Sequence, residues 1–327
     1  MRSPWPQVTV GHVRSPEDAL LVDLDGDLAF DVVSACEGQE RALFVHWAPK
    51  NFDRYFEAQA WSTGIIPASR GIMQWMFSMP MQVDGRDGVD LVAGGKGPGA
   101  ALGWMQAPKN PRDLAAWSWH PLRPTGWIMS IHTLDMDGDG DLDILFSDRR
   151  GERSGIYWLD NPGPGAGALQ QQPWAEHTVG SVGREVMFID VADFDGDGRH
   201  DIVAAVKPYQ TEIHLRRSKD GRQWASQAIE WPAALVGTAK AVRVIDVNND
   251  GQVDLVYSAE GARGDLRGVA WMNLARGGKV LNDISGAPGV KYDLIEFHDF
   301  DADGDLDILT TEETDGLGVI WYENPLN

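Results

Sequence analysis

A chain of 327 residues that is 43% hydrophobic, with a mean hydropathy of −0.29, has a soluble, globular composition, long enough for one large domain or two ordinary ones. A formal net charge of −21 and a pI near 4.6 exclude a basic nucleic-acid surface, and no apolar run approaches the length of a membrane span. A single cysteine, Cys36, excludes an internal disulfide framework.

In chain order, MRSPWPQVTVG opens without the apolar segment of a signal peptide. A native Met1 therefore implies the cytoplasm, and a trimmed signal implies a periplasmic or extracellular site. Within it, WPQVTVG (5–11) reads as a strand. The acidic loop DLDGDLAFDVV (23–33) comes next, and VDGRDGVDLV (83–92) is a degenerate copy of it. DMDGDGDLDIL (135–145), DFDGDGRHDIV (193–203), DVNNDGQVDLV (246–256) and DFDADGDLDIL (299–309) complete the series. Their starts lie about 53 to 60 residues apart, so the chain is six copies of one unit. Each unit reads as an apolar strand, the loop, a β-branched strand such as DIVAAV (201–206), a third strand and a fourth. The third often ends as in YWLDNP (157–162) or IWYENP (320–325), and the fourth begins near a tryptophan, as in WASQAIE (224–230). No segment carries a 3.6-residue apolar period. The fold class is all-β, a six-bladed β-propeller of four-stranded blades in one domain, 1–327. The sixth unit stops before a fourth strand, and residues 5–11 are expected to supply it and close the ring, leaving no bare sheet edge.

The loops explain the charge. Numbering each from one, carboxylates or an amide fall at positions 1, 3, 5 and 9: Asp23, Asp25, Asp27, Asp31; Asp135, Asp137, Asp139, Asp143; Asp193, Asp195, Asp197, Asp201; Asp246, Asn248, Asp250, Asp254; and Asp299, Asp301, Asp303, Asp307. Hard oxygens at alternate positions around a turn are what Ca2+ requires. With Asp141 and Asp305 these loops hold 21 aspartates, which matches the whole net charge. An EF-hand is excluded, because position 12 is Ser34, Phe146, Ala204, Tyr257 or Thr310 rather than glutamate. Leu28 breaks the pattern at position 6, where a glycine turn is expected. The second unit has Gln82, Asp84 and Arg86 before Asp90, and Arg86 is expected to replace the metal. About five structural calcium sites are therefore expected, not six.

The D-x-D-x-D-G-x-x-D loop between strands, with trailing W-x-x-N-P turns, resembles the FG-GAP/VCBS repeat family, which includes integrin α-subunit propellers and lectin-like propellers. The resemblance implies acidic loops joining the innermost strand to the second on one face, with calcium as scaffold.

Function is then expected on the opposite face, over the central funnel. Cations predominate in its connections, where Arg70, Arg184, Lys240 and Lys291 lead into four innermost strands, beside Glu185 and Tyr292. Lys96, Arg149, Arg150, Glu312 and Glu313 follow second strands. Many such charges are simply solvated; the sharper reading is an anionic or polyhydroxylated ligand held by Arg and Lys. RGIMQWMFSMPMQ (70–82) is mostly core by composition, the alternative being a wall of Trp75, Trp127 and Phe188. Tryptophans 47, 104, 158, 271 and 321 read as blade packing. No H-x-x-x-H pair, G-x-S-x-G elbow or phosphate loop is present. The chain therefore reads as a monomeric, calcium-stabilised propeller binding a glycan, a protein surface or a small-molecule anion. The rival reading is a funnel enzyme, either polysaccharide lyase-like or a cyclase acting on an isoprenoid diphosphate.

Overall fold

Six times the chain enters a strand at an aspartate, and each time no strand of that sheet is more deeply buried. The computed structural model describes residues 5–165, 167, 169, 173–274 and 280–326. Sheet one is β1 (Pro16–Val22), β2 (Asp31–Cys36), β3 (Ala42–Trp47) and β4 (Ser62–Ile65). Sheet two is β5 (Gln74–Met81), β6 (Asp90–Lys96), β7 (Ala101–Gln106) and β8 (Ser118–Pro124). Sheet three is β9 (Ile128–Leu134), β10 (Asp143–Asp148), β11 (Gly155–Asp160) and β12 (Ala175–Gly180). Sheet four is β13 (Val186–Ala192), β14 (Asp201–Val206), β15 (Gln210–Arg216) and β16 (Trp224–Glu230). Sheet five is β17 (Thr238–Ile245), β18 (Asp254–Glu260), β19 (Val269–Asn273) and β20 (Val280–Asp283). Sheet six is β21 (Tyr292–His298), β22 (Asp307–Glu312) and β23 (Gly318–Tyr322).

These are the six blades of an all-β propeller, and within each sheet neighbouring strands follow one another in sequence. The chain divides into two compact units, Met1–Arg153 with Tyr157–Thr178, and Ser154–Ile156 with Val179–Asn327. Second strands such as β10 and β14 are buried along their whole length, which is why they read as continuous apolar runs. Outer strands such as β16 are mostly exposed and polar. In the first unit one core joins sheets one and two around Val45, Ile66, Trp75 and Leu91, and another joins sheets two and three around Trp104, Phe146 and Tyr157. In the second unit Val256, Val269, Tyr292 and Ile295 pack sheets five and six.

Two expectations need adjustment. Residues 5–13 form no strand, and the sixth sheet has three strands among the described residues. Gly11 nevertheless sits where a Cβ would lie 2.1 Å from His46 Nδ1, just as Gly180, at the end of β12, would lie 2.3 Å from His214 Cε1. Both glycines mark close chain crossings over a buried third-strand histidine. The register also separates Trp47 from the other tryptophans. Trp104 and Trp271 face Val92 and Val256, two residues into their second strands, where sheet one pairs Val33 with Val45.

All six acidic loops share one backbone path. Position 4 has positive φ in every loop (Gly26, Gly85, Gly138, Gly196, Asn249, Ala302), and so does position 6 (Leu28, Asp87, Gly140, Gly198, Gly251, Gly304). Leu28 takes φ 72° with its side chain 78% exposed, so it bears the left-handed strain without any packing in return. Leu28→Gly should raise stability by about 1 kcal/mol, read as an increased urea midpoint with unchanged slope.

Candidate functional site

The left-handed residue at position 6 points its N–H back at the carboxylate of position 1. Leu28, Gly140, Gly198, Gly251 and Gly304 donate to Asp23, Asp135, Asp193, Asp246 and Asp299 at 2.7–3.1 Å. Position 7 donates to the carboxylate of position 5 in the same five loops, at 2.9–3.2 Å. Three carboxylates converge within 4.8 Å in four loops: Asp23, Asp25 and Asp27; Asp135, Asp137 and Asp143; Asp193, Asp195 and Asp197; Asp299, Asp301 and Asp303. In the remaining loop Asn248 takes the place of one acid and donates to Asp250 at 3.1 Å. Burial and then the neighbouring Asp139 carboxylate push the Asp137 and Asp141 carboxyls up. Such Asp-rich clusters have the donor chemistry to hold a hard metal ion. Two of them also meet arginines that sequence spacing did not reveal. Arg112 pairs with Asp25 while covering the Trp47 ring, and Arg217 reaches Asp195 at 2.8 Å.

The aspartate at position 9 has a further task in every loop, including the third, where Asp143 also belongs to the carboxylate cluster. It is 0–1% exposed in all six loops. One oxygen accepts the N–H of position 2, and the other accepts an N–H at the end of the third strand or just beyond it. The donors are Leu24 and Ala48 to Asp31, Val83 and Ala107 to Asp90, and Met136 and Asn161 to Asp143. Phe194 and Arg216 serve Asp201, Val247 and Leu274 serve Asp254, and Phe300 and Asn324 serve Asp307. Burial pushes the Asp90 and Asp143 carboxyls up to about 7, and these donors pull against it.

The second loop holds itself by a different device from the one expected. Arg86 and Gln82 are both exposed, but it is the Gln82 side chain, at position 1, that turns back onto the loop. Its Nε2 donates to the carbonyls of Arg86 (3.0 Å) and Gly88 (2.7 Å), positions 5 and 7, while its Oε1 accepts from Gly85 N–H (3.0 Å). An uncharged amide thus fills the centre of the loop, and Asp84 turns to Gln106 at 2.7 Å. The guanidinium reading followed charge, whereas the short amide has the reach.

At the opposite end of the sheets in the first unit, the half-buried Trp127 ring is flanked by Lys96, Arg149 and Arg150, at 4.6, 4.5 and 4.7 Å from its centroid. Lys96 also pairs with Glu17 (3.2 Å) and Glu37 (2.6 Å), while the Arg150 guanidinium makes no ion pair among the described residues. Asp148, at the end of β10, positions this turn by accepting from Gly126 and Trp127 N–H at 3.1 and 2.9 Å. Its own charge is met by Arg123 at 2.9 Å, a guanidinium 3% exposed over Phe146 and Tyr157. Neither Asp148 nor Arg123 was among the leading sequence candidates. Trp75, by contrast, is fully buried, donates to Ser69 O at 2.9 Å and meets Trp119 edge-on, so it forms no ligand wall. Arg70 is exposed, at the end of a single 3₁₀ turn four residues ahead of β5.

In the second unit the expected cations already have partners. Lys240 lies within β17, buried, 2.6 Å from Asp293. Lys291 meets Glu313 at 2.5 Å, and Arg184 meets Glu212 at 2.9 Å. Glu313 shares a hydrogen bond with Asp293, which raises its carboxyl above the usual range. Glu185 is half-buried and its carbonyl accepts from Lys207 N–H. Tyr292 is fully buried, donates to Pro288 O at 2.6 Å, and belongs to the core rather than to a ligand surface. Gly268 and Gly289 make room for its ring. Glu312, like Asp148, closes its second strand by capping the lead-in turn, with Val290, Lys291, Thr314, Asp315 and Leu317 N–H directed at it. Desolvation pushes its carboxyl up, but these donors outweigh that and hold it at about 2.

Residues 193–257 match the FG-GAP-like repeat. Together with six propeller blades, the match fits assignment to the FG-GAP/VCBS repeat family. No curated protein matches the chain significantly in sequence. Among solved structures, the periplasmic gluconolactonase PpgL of Pseudomonas aeruginosa is similar over 94% of this chain and 99% of its own, with 13% identity and a TM-score of 0.44.

Two outcomes test these assignments. Asp90→Asn should cost about 2–3 kcal/mol, equally with calcium and with chelator, because it strips a buried acceptor from a loop closed by Gln82. Glu312 has its folded-state carboxyl depressed from 4.5 to about 2, so its contribution is present above pH 4.5 and is lost as pH falls toward 2. Urea midpoints of Glu312→Gln should accordingly lie below the parent's at neutral pH and approach them in acid.

Proposed function

We propose that the protein is a calcium-stabilised binding propeller whose ligand is an acidic glycan or a comparable anionic, polyhydroxylated molecule at the Trp127 surface. The observation that carries this reading is the ring of Trp127 with three cationic side chains about it, on a turn fixed from below by Asp148. An aromatic face packs against the apolar face of a sugar, while guanidinium groups bind carboxylate or sulfate in a fork. The acidic loops at the other end of the blades take the scaffold role: three carboxylates converge at positions 1, 3 and 5 in three of them and at positions 1, 3 and 9 in the third loop, an oxygen set suited to Ca2+.

A catalytic reading has one observation of its own. Asp293 and Glu313 form a hydrogen-bonded carboxyl pair between Lys240 and Lys291, a pairing that separates two acids into a proton donor and an acceptor. Acidic polysaccharide left intact after long incubation, with no new chain ends, would remove it.

Chelation should lower the melting temperature by on the order of 10 °C, since several ions bound only to the folded state stabilise it by mass action. An unchanged melt would sink the calcium assignment. Oligogalacturonate should bind the calcium-loaded protein, with affinity falling at high salt, and Trp127→Ala or Arg150→Ala should weaken it about tenfold or more. Equal binding of a neutral oligosaccharide would count against the anionic reading.

A further inference from the structure

Beside the Trp127 surface lies a pair of carboxyls. Lys96, whose ammonium is 4.6 Å from the Trp127 ring centroid, meets Glu17 at 3.2 Å and Glu37 at 2.6 Å. Two carboxyls at one ammonium leave an unbalanced negative charge, which is relieved when one of them keeps its proton. The two also hydrogen-bond each other. Desolvation pushes the Glu17 carboxyl up, by more than Lys96 pulls it down. The Glu37 carboxyl is desolvated too, but its hydrogen bonds with Lys96 and Glu17 hold it below the usual range. Glu17 is thus the proton donor of the pair and Glu37 the acceptor.

The fold builds this arrangement. Glu17 is the extra residue of a bulge in β1, between Pro16 opposite Cys36 and Asp18 opposite Ala35. A bulge re-aims a side chain out of the alternation of its strand. The corresponding bulges hold Met76 in β5 and Met129 in β9, so within the first unit sheet one alone puts a charge there. Glu37 directly follows β2, and its N–H donates to Ser15 O at 2.9 Å. Lys96 ends β6 and pairs through its backbone with Trp127. Both carboxyls remain reachable, with 28% and 29% of their side-chain surface exposed. In the Trp127 turn, the buried Thr125 hydroxyl and Trp127 Nε1 have no hydrogen-bond partner among the described residues, so the turn keeps polar capacity for a bound molecule.

Taken with the anionic-glycan reading above, on which this inference rests, the constellation selects a reaction. Glycoside hydrolysis needs two carboxyls set apart on either side of the scissile bond, whereas a hydrogen-bonded pair meets a ligand from one side. Such a pair can take a proton from one face of a sugar and return one to the same face. We propose that Glu37 and Glu17 carry out a syn β-elimination on a uronate glycan bound at Trp127. Glu37 takes the proton from the carbon next to the substrate carboxylate, whose charge the Arg150 guanidinium offsets. The electron pair of that C–H bond forms a C=C bond, the bond from the neighbouring carbon to the glycosidic oxygen breaks, and Glu17 protonates the departing oxygen. The proton then passes from Glu37 back to Glu17 through their shared hydrogen bond, and no water or co-reactant is consumed.

The test incubates the full, calcium-loaded chain with two substrates. In oligomannuronate the proton and the departing oxygen share one face of the ring; in oligogalacturonate they lie on opposite faces. Ultraviolet absorbance of the new unsaturated acid should appear with oligomannuronate and not with oligogalacturonate. Glu17→Gln and Glu37→Gln should each lower the rate about a hundredfold. Both variants should still bind oligogalacturonate, which shows that they are folded. No absorbance from oligomannuronate while oligogalacturonate binds would overturn the inference and leave the binding reading standing. Failure of both ligands to bind would overturn that reading and the inference with it. An unchanged rate in either variant, or equal elimination of the two substrates, would overturn the inference as well.

Discussion

The aspartate that opens each second strand holds two distant pieces of chain at once, through a pair of hydrogen bonds to a carboxylate that water scarcely reaches. One bond closes the acidic loop on itself; the other ties that loop to the end of the third strand. Three strands of each blade are therefore registered from a single side chain. Each such bond to a charged acceptor is worth about 1.5–3 kcal/mol, and the cost of leaving its buried N–H groups bare is of similar size. The same pair recurs at Asp90, in the loop that lacks the acidic set, so the clamp precedes metal chemistry in the logic of the fold.

From that clamp the two ends of a blade acquire different electrostatics. At one end, backbone N–H groups organise carboxylates that still repel each other, which creates a demand for positive charge. At the other, carboxylates such as Asp148 and Glu312 cap the turns that lead into the first strands. The lysines there are consumed largely by neighbouring acids, Lys240 by Asp293 and Lys291 by Glu313. A count of cations on that face therefore overstates its attraction for an anion. What distinguishes the Trp127 turn is geometry, an aromatic plane that gathers several cations about one point.

Much of this was legible in the chain because it repeats. Six copies of one spacing exposed the blades, and alternate oxygens exposed the loops. The position-9 aspartate was legible as a ligand type but not as a clamp, since its donors lie seven residues back and up to twenty residues ahead. Gln82 was passed over because reasoning by charge looks for a cation where a cation is missing, and an amide serves when only carbonyls remain to be satisfied. Trp75 and Tyr292 looked like surface residues from their place near connections, yet the sheets bury both. Loop composition reports which turn a residue follows, not which way its side chain faces.

Gln82 has one further consequence. In four of the other loops three carboxylates converge, and under the calcium reading proposed above their charge is relieved by an ion from solution. The second loop is complete with what the ribosome supplies. Its sheet can therefore reach its final hydrogen-bond pattern without any divalent ion, between two neighbours whose loops carry carboxylate clusters. A chain built this way carries one blade whose loop is closed from within, a fixed reference that asks nothing of its surroundings.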